Sequence, residues 1–142
     1  SLGLVGSEMC IRDRMKALSY AGERKAFGKK LNEMQALQFK LADMATDLEA
    51  ARVFLYSAAS AYDRQDPETT MRCAMAKRVA TETGSAVANA ALQIHGGYGY
   101  LQDYGIEKIV RDLRVHEILE GTTEIMKMIV SRQIIASNGL GR

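Results

Sequence analysis

The sequence predicts an all-α fold, an antiparallel up-down four-helix bundle, on three observations. Apolar residues recur in steps of three and four at Met34, Leu37, Leu41, Met44, Leu48, Ala51 and Leu55, the period of one helix face. The 142 residues are 47% hydrophobic yet include one proline, so long helices meet few breakers. Runs of alternating β-branched and aromatic residues, the mark of strands, are nearly absent. Long helices with short connections bury their apolar stripes against one another as a bundle.

The first fourteen residues, SLGLVGSEMCIRDR, fit poorly with the rest of the chain. They carry no cleavage site, and their apolar stretch is too short for a signal peptide. They resemble the conceptual translation of a sequencing adapter. They are therefore expected to be foreign, Cys10 with them, and the domain is read as residues 15–142.

From Met15 to Lys25 the sequence reads as the end of a helix, with Ala17, Leu18, Ala21 and Gly22 on its apolar side. Phe27-Gly28 interrupts it, Gly28 being free to take a positive φ at a helix C-terminus. Asn32 is the expected N-cap of the second helix, with Gln35 completing a capping box. That helix is expected to run to about Arg64, where Asp66-Pro67 ends it and Pro67 opens the third. The third covers roughly Glu68 to Ile94, with Met71, Met75, Val79, Ala86 and Ala90 on its buried face. Its many alanines allow close helix approach. The run Gly96-Gly97-Tyr98-Gly99-Tyr100 stops it. A short helix is expected near Ile106 to Arg114, and a last one, capped by Thr122 or Thr123, carries Ile125, Met128, Ile129 and Ile135.

Composition excludes several function classes. A formal net charge of +2 with interleaved signs argues against a nucleic-acid footprint. No apolar run is long enough for membrane insertion. Cys10 and Cys73 have no metal-ligand spacing, and two histidines, His95 and His116, cannot build a histidine-rich metal site. Cysteine usage points to a reducing compartment.

Two segments carry the candidate chemistry. In Glu120-Gly121-Thr122-Thr123-Glu124, one reading is a plain helix N-terminus with a threonine cap and Glu124 favourable to the dipole. The other makes Glu120 a general base. A carboxylate entering an apolar cleft gains basicity because burial disfavours its charged form, as abstraction of a weakly acidic carbon proton requires. Gln93-Ile94-His95-Gly96-Gly97 is either a helix end with a glycine stop or a backbone that a phosphate or polar ring approaches closely. Arg24 near Phe27 is either a charge at a helix end or an arginine placed for a phosphate with a stacked ring. Arg111-Asp112 reads as an internal ion pair, and both histidines as structural.

Taken in order, ERKAFGKKL, Gln35, LADM, ALQIHGGYGY, RDLRVHEILEGTTEI and the helix at Ile129 to Arg132 resemble the acyl-CoA dehydrogenase family. The resemblance covers Met15 to Ala136, the family's C-terminal helical domain. It implies an N-terminal helical domain and a middle β-domain elsewhere in the parent enzyme, so that this chain alone neither holds FAD tightly nor turns over substrate. It also implies FAD as cofactor, an acyl-CoA substrate, a homo-oligomer built as a dimer of dimers, and electron-transfer flavoprotein as electron acceptor. Residue by residue, Glu120 matches the base that removes the α-proton, as in the majority of members. Arg24, Phe27, Gln35, Gln93, Ile94, His95, Gly96, Gly97, Thr122, Thr123 and Glu124 match FAD-contacting positions, several reaching the cofactor of a neighbouring subunit. Gly121 matches a substrate contact. The stretch from Gly96 to Ile125 is most similar to short branched-chain members. The resemblance implies a bacterial cytoplasm or a mitochondrial matrix. An acyl-CoA oxidase of the same fold and a non-catalytic helical assembly module are the alternatives.

Overall fold

The computed structural model describes the backbone of residues 2–139 and the side chains of residues 11, 12 and 14–139. Five helices follow one another: α1 (Leu2–Glu23), α2 (Gln35–Asp63), α3 (Thr69–His95), α4 (Ile106–His116) and α5 (Thr123–Ser137). A two-residue antiparallel hairpin, β1 (Lys25–Ala26) and β2 (Lys29–Lys30), and a 3₁₀ turn at Leu31–Glu33 join α1 to α2. A second 3₁₀ turn, Gly96–Tyr100, follows α3.

α3 is the axis of the bundle, and α1, α2, α4 and α5 all pack against it. Its buried residues are Ala74, Ala76, Gly84, Val87, Ala88, Ala91, Ile94 and His95, five of which are alanine or glycine and let neighbouring backbones come close. Met44 and Leu48 from α2, Ala17 and Ala21 from α1, and Ile109 and Leu113 from α4 complete the main core. Each large apolar side chain among them contributes about 1.5–3 kcal/mol by leaving water. The helical period read from α2 holds, with Met44, Leu48 and Ala51 buried.

Several local expectations are corrected. Leu18 is exposed, because the α1 stripe is centred on Ala17 and Ala21. On α3, Ala86 is exposed, and Met71, Met75, Val79 and Ala90 are only half-buried, since the centre of the contact is the smaller stripe. Gly28 does not end a helix: Phe27 (φ 53°) and Gly28 (φ 79°) form the hairpin turn, where two consecutive positive φ values match the twist of the strands. Asn32 and Gln35 do not cap α2, whose N-cap position is Met34 with no side-chain bond. A one-sided cap lies one turn earlier, where the Lys30 N–H donates to Glu33 Oε2 at 3.1 Å. Pro67 sits ahead of α3 in a turn held by Asp66, whose Oδ1 accepts from the Glu68 N–H at 2.8 Å. Asp112 pairs with Lys108 at 2.7 Å, one helical turn away, rather than with adjacent Arg111, because neighbours in sequence point to different sides of a helix. The foreign origin expected for residues 1–14 is drawn from sequence alone; the backbone of residues 2–14 belongs to α1.

Leu113 is 2% exposed at the α3–α4 contact. Leu113→Ala is expected to cost about 2–5 kcal/mol, read as a lower midpoint in chemical denaturation.

Candidate functional site

The aromatic and glycine residues after α3 build a cleft of about 410 Å³. Tyr20, Arg24, Ala26 and Leu31, from α1 and the segment after it, line it together with Ile94, His95, Gly96, Gly97, Tyr98 and Leu101 from the end of α3 and the turn that follows. His95 is buried, and its Nδ1 donates to the Ala91 carbonyl at 2.8 Å, which places the ring proton on Nδ1. Its ring stacks on Tyr20 with centroids 4.3 Å apart, and Tyr104 meets both edge-on. Burial holds the Tyr20 phenol above its ordinary pKa, against the opposing pull of the Arg24 charge. This cluster fixes the start of the glycine turn from below.

Above it the backbone is open. Gly96 takes φ 59° and ψ −141°, a conformation that favours glycine, and a Cβ on Gly96 or Gly97 would meet nothing within 4 Å. Gly99 has a different reason: its Cβ would lie 2.9 Å from the Leu92 carbonyl oxygen, so it lets the turn fold back onto α3. The Arg24 guanidinium lies over the Tyr98 ring, 5.1 Å from its centroid. One cation, an apolar wall and unshielded backbone together suit a ligand with a ring and a phosphate.

The second candidate segment is an elbow between α4 and α5. Glu120 adopts φ 55° and Gly121 φ 100°, two consecutive positive φ values at the chain reversal. Glutamate there is strained by about 1–3 kcal/mol, and its side chain is exposed. Gly121 is favoured by its own positive φ; a Cβ there would also lie 2.6 Å from Met126 Cε, the movable end of that side chain. The Thr123 N–H donates to the Glu117 carbonyl at 3.0 Å. Thr122 is the cap of α5, its hydroxyl accepting from the Ile125 N–H at 3.4 Å. Across the bundle, Lys77 Nζ on α3 donates to the Gly121 carbonyl at 2.5 Å.

The structure therefore gathers Arg24, Ile94, His95, Gly96 and Gly97 at one cleft and Glu120, Gly121, Thr122, Thr123 and Glu124 at the elbow. Phe27 is fully exposed at the hairpin tip, so the aromatic beside Arg24 is Tyr98. Gln35 and Gln93 are exposed and do not line the cleft. Lys77 to Gly96 spans nineteen positions of α3 and its end, on the order of 28 Å at the rise of a helix.

A profile of the family described as acyl-CoA dehydrogenase, C-terminal domain, matches residues 6–135. The chain belongs to this family. Mitochondrial isobutyryl-CoA dehydrogenase of Bos taurus is 48% identical over 119 residues, covering 84% of this chain and 29% of that protein. Butyryl-CoA dehydrogenase from Megasphaera elsdenii superposes with a TM-score of 0.87 at 36% identity, covering 92% of this chain and 34% of that one. The FAD complex of PigA superposes with a TM-score of 0.89 at 27% identity, covering 98% of this chain and 35% of that one. This acyl-CoA dehydrogenase domain thus spans about a third of the length of such relatives. Among its described residues no helix is long and apolar enough to cross a membrane, and no group of three or more His, Cys, Asp or Glu could hold a metal ion.

Sequence reasoning missed Tyr20, Tyr98 and Lys77. Tyr98 could have been found from its place inside the glycine run, whereas Lys77 carries no local signal, since its target is a carbonyl 44 residues away.

The Glu124 carboxyl, in the first turn of α5, is held below the usual range by its own backbone N–H and then by the Thr122 hydroxyl. A carboxyl depressed on folding contributes stability that is present above its unfolded pKa and lost as pH falls through the folded one. Thr122→Ala is expected to move the Glu124 titration back toward the ordinary value and to narrow that acid-side loss, as followed by carboxyl-carbon NMR and by thermal melts across the acid range.

Proposed function

We propose that this domain belongs to a flavin-dependent enzyme that converts a short or branched acyl-CoA to its 2-enoyl-CoA, with Glu120 as the base that takes the α-proton. The observation that carries the reading is the elbow. A glutamate is kept at a positive φ, followed by a glycine whose own φ of 100° strains any other residue. A plain helix cap needs neither, because Thr122 alone supplies the cap. Strain of this kind persists where surrounding contacts impose it, and it gathers at reactive groups. An exposed carboxylate is a weak base; loss of water around Glu120 as the acyl chain enters would strengthen it.

The cleft residues fit FAD. Open backbone at Gly96 and Gly97 and the Arg24 guanidinium over Tyr98 suit a phosphate next to a ring. Arg24 would hold the pyrophosphate, the Gln93–Gly97 turn the adenosine end, and Thr122 and Glu124 the part beside the base. When bound, FAD supplies the acceptor for the β-hydrogen, which leaves as hydride while Glu120 keeps the α-proton. Hydrogen bonding to the thioester carbonyl, in which the Glu120 backbone N–H takes part, stabilises the enolate that develops.

The separation of about 28 Å along α3 supports assigning the cleft and the elbow to different active sites of one homo-oligomer. Exposed Phe39, Val53, Tyr56 and Tyr62 on α2 and Ile125, Ile134 and Ile135 on α5 supply apolar faces for such assembly, as a dimer of dimers. The reading includes N-terminal helical and middle β-domains in the parent enzyme, electron-transfer flavoprotein as the acceptor, and a setting in a bacterial cytoplasm or a mitochondrial matrix. Similarity to an isobutyryl-CoA dehydrogenase supports the short, branched substrate class.

In the full-length enzyme, Glu120→Gln is expected to keep its flavin absorbance and lose nearly all dehydrogenation, at least about 10²–10⁴-fold. Near-normal turnover with isobutyryl-CoA and an artificial electron acceptor would remove Glu120 as the base.

A further inference from the structure

Gly121 poses a physical problem. A φ of 100° favours glycine there, yet glycine restrains its own backbone less than any other residue. The conformation of the peptide between Glu120 and the cap Thr122 must therefore be set from outside. Two of the contacts at the elbow are local, Thr123 N–H to the Glu117 carbonyl and Thr122 to the first turn of α5. They anchor the helix start but leave the Gly121 carbonyl free to swing. The contact that reaches it from another element is Lys77 Nζ at 2.5 Å.

Lys77 lies half-buried on α3, one turn from buried Ala74, its stem along the apolar surface and its ammonium free to reach a partner. It takes part in none of the ion pairs among the described residues. Its ammonium donates instead to a neutral backbone oxygen, a charge-assisted bond. That bond fixes the direction of the Gly121 carbonyl and so the plane of the Gly121–Thr122 peptide, which limits the swing of the elbow that carries Glu120.

We propose that Lys77 is a positioning residue for Glu120: it clamps the elbow to the central helix and aims the carboxylate at the carbon it deprotonates. The proposal rests on the reading of Glu120 as the base. Misplacement of a reacting group by about 1 Å can cost about 10²-fold in rate, so a mobile elbow would show in the proton-transfer step itself.

The test uses the full-length flavin-loaded enzyme with Lys77→Met, Lys77→Arg and Glu120→Gln. Lys77→Met is expected to lower kcat, and the exchange of the substrate α-proton with deuterated solvent, by about 10- to 100-fold, with flavin content and KM unchanged. Lys77→Arg, which keeps a cationic donor, is expected to recover most of both. A crystal structure of Lys77→Met is expected to show the Gly121 carbonyl turned away and Glu120 out of its φ 55° conformation. Wild-type exchange in Lys77→Met, or a loss that merely tracks loss of flavin, would overturn the proposal. Should Lys77→Met not fold, Lys77→Gln carries the same measurements. If Glu120→Gln stays active, the base assignment fails by itself, and the clamp is then judged by the elbow conformation in the crystal structure: unchanged, it is refuted.

Discussion

Close packing against the small side chains of α3 is the constraint on which the rest of the molecule depends. Ala74, Ala76, Gly84, Ala88 and Ala91 present almost no bulk, so α1, α2, α4 and α5 can approach the same axis. Larger residues there would force the surrounding helices outward, and strain in a close-packed interior has nowhere to go. The bulk that fills the remaining space comes from the partners, from Met44, Leu48, Ile109 and Leu113. Both candidate segments inherit their positions from this axis: the glycine turn continues its C-terminal end, and the elbow is tied to its first half through Lys77.

How far the sequence could be read depends on the range of the forces involved. The α2 stripe was legible because a helix face repeats within a few residues, and Met44, Leu48 and Ala51 lie buried as their spacing requires. The α3 face was misjudged because large apolar residues draw the eye. Met71, Met75 and Val79 are half-buried at the margin while alanines occupy the centre. Gly28 was correctly read as a positive-φ position, yet its hairpin was invisible because strands of two residues have no period. The cap near Asn32 failed for a similar reason: the bond that forms runs from the Lys30 N–H to Glu33 around a 3₁₀ turn, a geometry that the residue types do not single out.

At the sites, local features were legible and long-range ones were not. Arg24, the Gly96-Gly97 turn and Glu120-Gly121 each admit a structural reading taken alone and stand out through their order along the chain, and the fold places each at a cleft or an elbow. Thr122, one of two candidate caps, is settled by the bond from the Ile125 N–H. What remained hidden joins elements distant in the chain: the Tyr20–His95–Tyr104 stack, Arg24 over Tyr98, and Lys77 on the Gly121 carbonyl.

The stretch of α3 from Lys77 to His95 also acts as a gauge block. Inserting or deleting a single residue within it would turn one end relative to the other by about 100° and shift it by about 1.5 Å. The elbow tether and the glycine turn would then no longer face the partners they now face, even if every side chain at both ends were kept. Substitutions along this stretch can be absorbed one at a time, but its length cannot drift. It should be the segment of the domain in which gaps are least tolerated.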